Sequence, residues 1–160
     1  MEHAADRFEE IAKGVFQLWR FFNQTRSGLV PNLHGTIQPD TVGVVLMLDE
    51  WMELGELFRD HVISSATAMA DASPDNITAR DRRKILFVSI HDLEEVLSHS
   101  TSQSFLHLLR LAQTEKYDGW ALRGIQQDSV VGPSPSNKYP FIENLREVMP
   151  WIEDVRATIS

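Results

Sequence analysis

The sequence predicts an all-α fold, built as a single-domain bundle of five to six helices over residues 1–160. Apolar residues recur at steps of three and four along most of the chain, the spacing of an amphipathic helix, and strand-like alternation is missing. Of the 160 residues, 42% are hydrophobic and 24% charged, which is enough to form one core. Cysteine is absent, so disulfide scaffolds, cysteine nucleophiles and thiolate metal sites are excluded.

Two long helices are predicted in the first half of the chain. Residues 4–22 carry apolar side chains at helical spacing and predict the first helix. The stretch that follows, up to Pro39, is interrupted by prolines and glycines and predicts a loop. The second helix, capped by Asp40 or Thr41, is predicted to run without a break to about Ala72.

Shorter helices are predicted in the second half. Residues 73–76 form a break, because proline and small polar residues there favour a turn and a helix cap. Apolar residues at helical spacing return after this break, and a segment rich in proline, glycine and serine interrupts them once. The predicted elements are helices within 85–97, 105–112, 117–127 and 141–155, and an irregular exposed loop at 128–140.

The balance of charge limits the classes of partner. The chain has 23 acidic and 15 basic residues, a net charge of -8, so binding to nucleic acid through phosphate neutralisation lacks its main driving force. The sequence has neither an apolar run long enough to span a membrane nor the apolar core of a signal peptide. We therefore expect a cytoplasmic protein that binds neither nucleic acid nor membranes.

One basic cluster lies within this acidic chain. It covers residues 80–84 and is partly offset by Asp75 and Asp81. We favour the interpretation that these charges form the solvated start of the third helix, and the alternative is a contact with an anion or an acidic partner. The basic residues are Arg80, Arg82, Arg83 and Lys84.

The second predicted helix carries a strip of carboxylates. On a helical wheel, four acidic side chains fall between about 80° and 140°, while apolar residues occupy most of the remaining circumference. A helix that is apolar nearly all round is normally central in a bundle, so its acidic strip must meet solvent, a cleft, a cation or a partner. Enclosing the strip would need compensation, because like charges at this spacing repel one another. The four residues are Asp49, Glu53, Glu56 and Asp60.

Part of this strip follows a spacing found in metal-dependent enzymes. Glu53, Glu56 and Asp60 have the spacing acid-x-x-acid-x-x-x-acid, which resembles the first metal-binding helix of the all-α nucleoside triphosphate pyrophosphohydrolases, the dimeric dUTPase and MazG-like group. The resemblance implies that acids from two helices hold Mg²⁺ on the substrate phosphates. The candidates for the second acid pair do not reproduce the Glu-then-Asp spacing of the family; they are Asp92, Glu94 and Glu95.

The third predicted helix offers a second arrangement of metal-ligating residue types. His91, Glu95 and His99 stand four residues apart, so their side chains share one helical face. Imidazole and carboxylate groups at this spacing are able to share a metal ion. We favour the alternative that they form an exposed polar face opposite the apolar residues of the same helix.

These observations favour a non-enzymatic function. Our hypothesis is an inhibitor, immunity or adaptor type of protein that binds the basic surface of a protein partner through Asp49, Glu53, Glu56 and Asp60, with no catalytic residues and no cofactor. The alternative enzyme would use Mg²⁺ with Glu53, Glu56 and Asp60. A small-molecule sensor and a homodimer stay open. Two tryptophans in less regular segments are further candidates for partner contacts; they are Trp120 and Trp151.

Overall fold

A computed structural model describes residues 2–33, 37–38, 40–48 and 55–129, with side chains from Phe8 onward. These residues form five α-helices, two β-strands and two short 3-10 turns. The helices are α1 (Glu2–Arg26), α2 (Glu56–Ala72), α3 (Ile90–Ser98), α4 (Ser102–Ala112) and α5 (Leu122–Asp128), the strands are β1 (Gly43–Met47) and β2 (Ile85–Ser89), and the turns are Pro31–Leu33 and Glu115–Tyr117.

The two strands form a small parallel sheet. β1 and β2 pair from Gly43 opposite Ile85 to Met47 opposite Ser89, and α2 connects them as a crossover helix. The start of the pairing is tight, since a Cβ atom on Gly43 would lie 2.5 Å from Cδ1 of Ile85. Glycine at this position therefore allows the isoleucine to pack directly over the neighbouring strand.

Helices cover both faces of the sheet, so the fold has three layers. Successive residues of β2 alternate between two separate clusters of buried side chains, as expected for a strand covered on both sides. One cluster joins the sheet to α1 and α2 through Trp19, Phe22, Met47, Val62, Ala66 and Ile85. The other joins it to α3, α4 and α5 through Leu86, Val88, Val96, Leu108, Leu122 and Ile125.

The predominantly helical character is confirmed, but the all-α prediction is wrong at the two strands. Residues 43–47 and 85–89 were predicted as the first turns of the second and third helices, whereas they form β1 and β2. Both strands are short apolar runs, and β2 is covered on both faces. Such a run lacks the polar alternation of a half-exposed strand, so periodicity alone does not distinguish it from a buried helix.

Other predicted elements agree with the structure to different degrees. The first helix is confirmed and extends to Arg26, and the fourth is confirmed as α4. The fifth is confirmed in part, because α5 begins only at Leu122. The last helical pattern at 141–155 and nearly all of the loop at 128–140 lie outside the described residues. Within the part of the chain that is described, no helix is long and apolar enough to cross a bilayer.

Candidate functional site

The predicted acidic strip does not lie on one continuous helix. α2 begins at Glu56, after the extended N-cap residue Gly55, so this helix carries Glu56 and Asp60 of the four carboxylates. Asp49 and Glu53 lie outside the described residues. The helical wheel placed the four carboxylates on one strip only if a single helix ran through them from about residue 41. In the structure, residues 43–47 form β1 instead.

The packing of α2 against α1 turns its two acids toward solvent. Phe58 stacks on Phe8 of α1 with 5.3 Å between ring centroids, and Val62 and Ala66 follow in the core at four-residue steps. Glu56 and Asp60 are exposed. Between them, Leu57 is 83% exposed, so an apolar side chain lies beside the carboxylates on this surface.

Glu56 and Asp60 form no ion pair and no side-chain hydrogen bond within the described part of the chain. Most acidic side chains in these stretches do have a cationic partner; they include Asp71 with Arg82, Asp75 with Arg20, Asp81 with Arg26 and Asp128 with Lys116. Two other exposed acids, Glu94 and Glu115, also form no ion pair and no side-chain hydrogen bond in these residues. The distinction of Glu56 and Asp60 is that both line a cleft.

This cleft has a volume of about 290 Å³. It lies between the first turns of α2, residues 82–87 around the start of β2, and residues 117–120. Its lining is mixed, because cationic, anionic and aromatic side chains all contribute to it. The cations are Arg59, Arg82, Arg83 and Lys84, the acids are Glu56, Asp60 and Asp118, and the exposed aromatic residue is Trp120.

Asp118 forms ion pairs with two of the cations. Its carboxylate lies 2.5 Å from Nζ of Lys84 and 3.5 Å from Nη2 of Arg59. The hydrogen bond from Lys84 holds the pKa of Asp118 below its ordinary value, against the opposing effect of partial burial. Asp118 is therefore ionised at neutral pH and fixes both cations at the cleft wall.

The remaining two cations also have partners. Arg82 pairs with Asp71 and donates to the carbonyl oxygen of Ile77. The guanidinium of Arg83 lies 4.8 Å from the ring centroid of Phe22 and donates to the Gln38 carbonyl oxygen. Glu56 and Asp60 are therefore the charged side chains of the cleft lining that have no ion pair, hydrogen bond or ring contact in the described part of the chain.

The turn at 117–120 shapes the opposite wall. Gly119 has a φ of +76°, a conformation that favours glycine, and a Cβ atom there would collide with the guanidinium of Arg59. Trp120 packs edge-on against the buried Tyr117, with 5.6 Å between ring centroids, yet half of its surface is exposed. An indole ring held by a tyrosine thus lies in the same cleft as the two free carboxylates.

The predicted metal-ligating groups are not assembled in the described residues. His91 is exposed, and Oε2 of Glu95 forms an ion pair with Nη1 of Arg123 at 3.5 Å. In the described stretches, no group of three acidic or histidine side chains could hold a metal ion. Asp92, a candidate for the second acid pair, is buried and accepts hydrogen bonds from the backbone N–H groups of Leu122 and Arg123. Its carboxylate therefore caps α5 rather than facing a cleft.

The sequence points to Glu56, Asp60 and Trp120 as candidate binding residues, but not to Asp118. The available signal was the Asp-Gly pair at 118–119, which predicts a turn but does not reveal the ion pairs made there. The sequence matches no protein-family model, and comparisons with curated proteins and with solved structures found no match. The geometry of the cleft is accordingly the basis for the functional proposal.

Proposed function

We propose that this protein is a non-enzymatic binding protein, of the inhibitor, immunity or adaptor type, and that its partner presents a basic surface to the cleft at the start of α2. The observation that carries the proposal is the pair Glu56 and Asp60, two carboxylates that line a cleft and have no cationic partner in the described residues. A basic partner would supply the missing counter-charges and would be attracted at long range by the net charge of -8.

The lining of the cleft favours an arginine side chain as the inserted group. A guanidinium is able to bond a carboxylate through two parallel N–H groups and to stack on an aromatic face. Glu56 and Asp60 offer the carboxylates, and Trp120 offers the aromatic face. Lysine would form the ion pair but not the stacked, two-bond contact, so we expect arginine to bind more tightly.

Apolar surface around the carboxylates supports a protein rather than a free cation as the ligand. Leu57 and Trp120 are 83% and 51% exposed, and both belong to the segments that form the cleft or lie next to it. Exposed aromatic side chains are common in the energetically important part of protein interfaces, and Leu57 adds apolar contact area beside the carboxylates. We extend the proposed surface to Asp49 and Glu53, because they belong to the connection between β1 and α2.

The proposal is tested by calorimetric titration with a defined probe, the peptide acetyl-hexa-arginine amide. We expect the double variant Glu56→Gln/Asp60→Asn to raise Kd about tenfold, since it removes two charge-assisted contacts. The matched control, Glu94→Gln/Glu115→Gln, removes the same net charge from two unpaired acids outside the cleft and should leave Kd nearly unchanged. Equal effects of the two double variants would show that the peptide senses net charge alone, and would refute the proposal.

The Mg²⁺-dependent pyrophosphohydrolase with Glu53, Glu56 and Asp60 stays the alternative. Thermal unfolding with and without millimolar Mg²⁺ separates the two functions, because a cation that binds the native state raises Tm. Under the binding-protein proposal, Mg²⁺ should change Tm no more in the original protein than in Glu56→Gln/Asp60→Asn. A rise in Tm that the double variant abolishes, together with hydrolysis of a nucleoside triphosphate, would favour the enzyme.

A further inference from the structure

The basic cluster at 80–84 contributes to a second cavity, which shares Arg83 with the cleft described above. This cavity has a volume of about 290 Å³ and lies between the C-terminal turns of α1 and residues 80–83. The charged side chains in its lining are Arg26, Arg80, Asp81 and Arg83, and its apolar walls include Phe22 and Ile37. The segment precedes β2 and is not the solvated start of a helix, which corrects the interpretation favoured from the sequence.

A buried carboxylate fixes one arginine at this cavity. Asp81 is 1% exposed and accepts hydrogen bonds from Nε and Nη2 of Arg26, at 2.7 and 2.9 Å. The backbone N–H and the hydroxyl of Thr78 donate to the same carboxylate. Burial opposes ionisation of Asp81, but these donors outweigh it and hold its pKa below the ordinary value. The position of Arg26 is therefore set before any ligand binds.

Two further arginines approach the cavity from the segment itself. Arg83 is held by the Gln38 carbonyl oxygen, to which it donates through Nη1, and by the ring of Phe22. Arg80 is exposed and makes no hydrogen bond or ion pair within the described part of the chain. Its guanidinium is thus available to a ligand without breaking any internal contact in these residues.

The charge of the lining is unbalanced. Three arginines contribute three positive charges and Asp81 contributes one negative charge, which leaves an excess of two positive charges in a protein whose net charge is -8. Arg26 and Arg83 use one side of each guanidinium for internal bonds, so donors on the other side, Nη1 of Arg26 and Nη2 of Arg83, make none in the described stretches. The cavity lining therefore offers N–H donors without internal partners in these stretches and an excess of positive charge, two features that favour binding of an oxyanion.

We propose that this cavity binds the oxyanion group of a small molecule, a phosphate or a carboxylate, through Arg26, Arg80 and Arg83. The volume is near the lower limit of about 300 Å³ for small-molecule sites, which favours a compact ligand. Phe22 and Ile37 provide contact for an apolar portion of that ligand. The site does not depend on the proposed partner-binding function, since it uses neither Glu56 nor Asp60, although Arg83 lines both the cavity and the first cleft.

Calorimetric titration with sodium phosphate, and separately with sodium acetate, tests this site, with sodium chloride at equal ionic strength as the blank. We expect saturable binding, and a Kd about tenfold higher for Arg80→Gln because one charged donor is lost. The control is Arg110→Gln, which removes an exposed arginine that pairs with Asp40 outside the cavity. Neither arginine is buried, so both variants should fold, and an unchanged far-ultraviolet circular dichroism spectrum checks this.

Each outcome of these titrations decides the proposal. Tighter binding of phosphate than of acetate would identify a phosphate-bearing ligand, and the reverse order would identify a carboxylate. Heats that do not exceed those of sodium chloride for either anion would overturn the proposal. Equal weakening of anion binding by Arg80→Gln and Arg110→Gln would also overturn the proposal. Such a result would show that the anion screens the charge of the whole protein and does not bind at one site.

Discussion

The variant Asp92→Ala is expected to lower the free energy of unfolding by about 3 kcal/mol, because a buried charged acceptor and two hydrogen bonds are lost together. Asp92 is 1% exposed, and its carboxylate accepts from the N–H groups of Leu122 at 2.6 Å and Arg123 at 2.9 Å. The N-cap residue of α5, Ala121, has no side chain that could replace it. Urea unfolding followed by circular dichroism measures the difference.

Glu94→Ala is the control for this prediction. Glu94 lies on the same helix as Asp92 but is exposed and has no partner in the described residues, so its removal should change stability by less than about 0.5 kcal/mol. A loss for Asp92→Ala no larger than that for Glu94→Ala would contradict the placement of Asp92 at the start of α5. The loss of unfolding free energy for Asp92→Asn should lie between the losses for Asp92→Ala and Glu94→Ala. An amide retains one acceptor oxygen, but it faces the second N–H group with a donor.

Asp81→Asn is expected to lower the free energy of unfolding by about 3 kcal/mol at neutral pH, because Arg26 loses its ion pair and the buried acceptor loses its charge. The cost should depend on pH. Since the pKa of Asp81 in the folded protein is lowered from 3.8, its ionised form stabilises the fold above that value, and the stabilisation disappears as pH falls through the lowered pKa. The difference in unfolding free energy between the original protein and Asp81→Asn should therefore narrow below about pH 3.8.

Asp40→Asn provides the comparison for this pH series. Asp40 pairs with Arg110 at the surface, where both side chains are more than half exposed, and such pairs contribute at most about 1 kcal/mol. Asp40→Asn should therefore lower the free energy of unfolding only slightly at neutral pH. A cost for Asp81→Asn that stays constant from neutral to strongly acidic pH would show that folding does not lower the pKa of Asp81.

The sequence was sufficient to predict elements whose faces differ in polarity. α1 and α4 each bury one side and expose the other, so the helical period is visible in their residues. β1 and β2 gave no such contrast, because helices cover both faces of the sheet and the strands are apolar runs. Because the residues of β1 were predicted as the start of the second helix, that helix was predicted to continue through Gly55. In the structure, Gly55 is the N-cap residue of α2.

The candidate site was predictable where it depends on local sequence and not where it depends on distant pairs. The exposure of Glu56 and Asp60 follows from the helical pattern of α2 itself. The ion pairs of Asp118 with Arg59 and Lys84 bring together three segments that are far apart along the chain. Without those contacts the sequence suggests a mixture of charges, whereas in the folded cleft the cations have partners and Glu56 and Asp60 have none in the described residues.

A two-dimensional ¹H–¹⁵N spectrum recorded during titration with acetyl-hexa-arginine amide tests the central claim most directly. We expect the largest and earliest shifts on the amides of residues 56–60 and on the indole N–H of Trp120, and little shift of the amides of Glu94 and Glu115. Shifts spread evenly over all exposed acidic residues, or centred away from the cleft, would contradict the claim that Glu56 and Asp60 form a binding site.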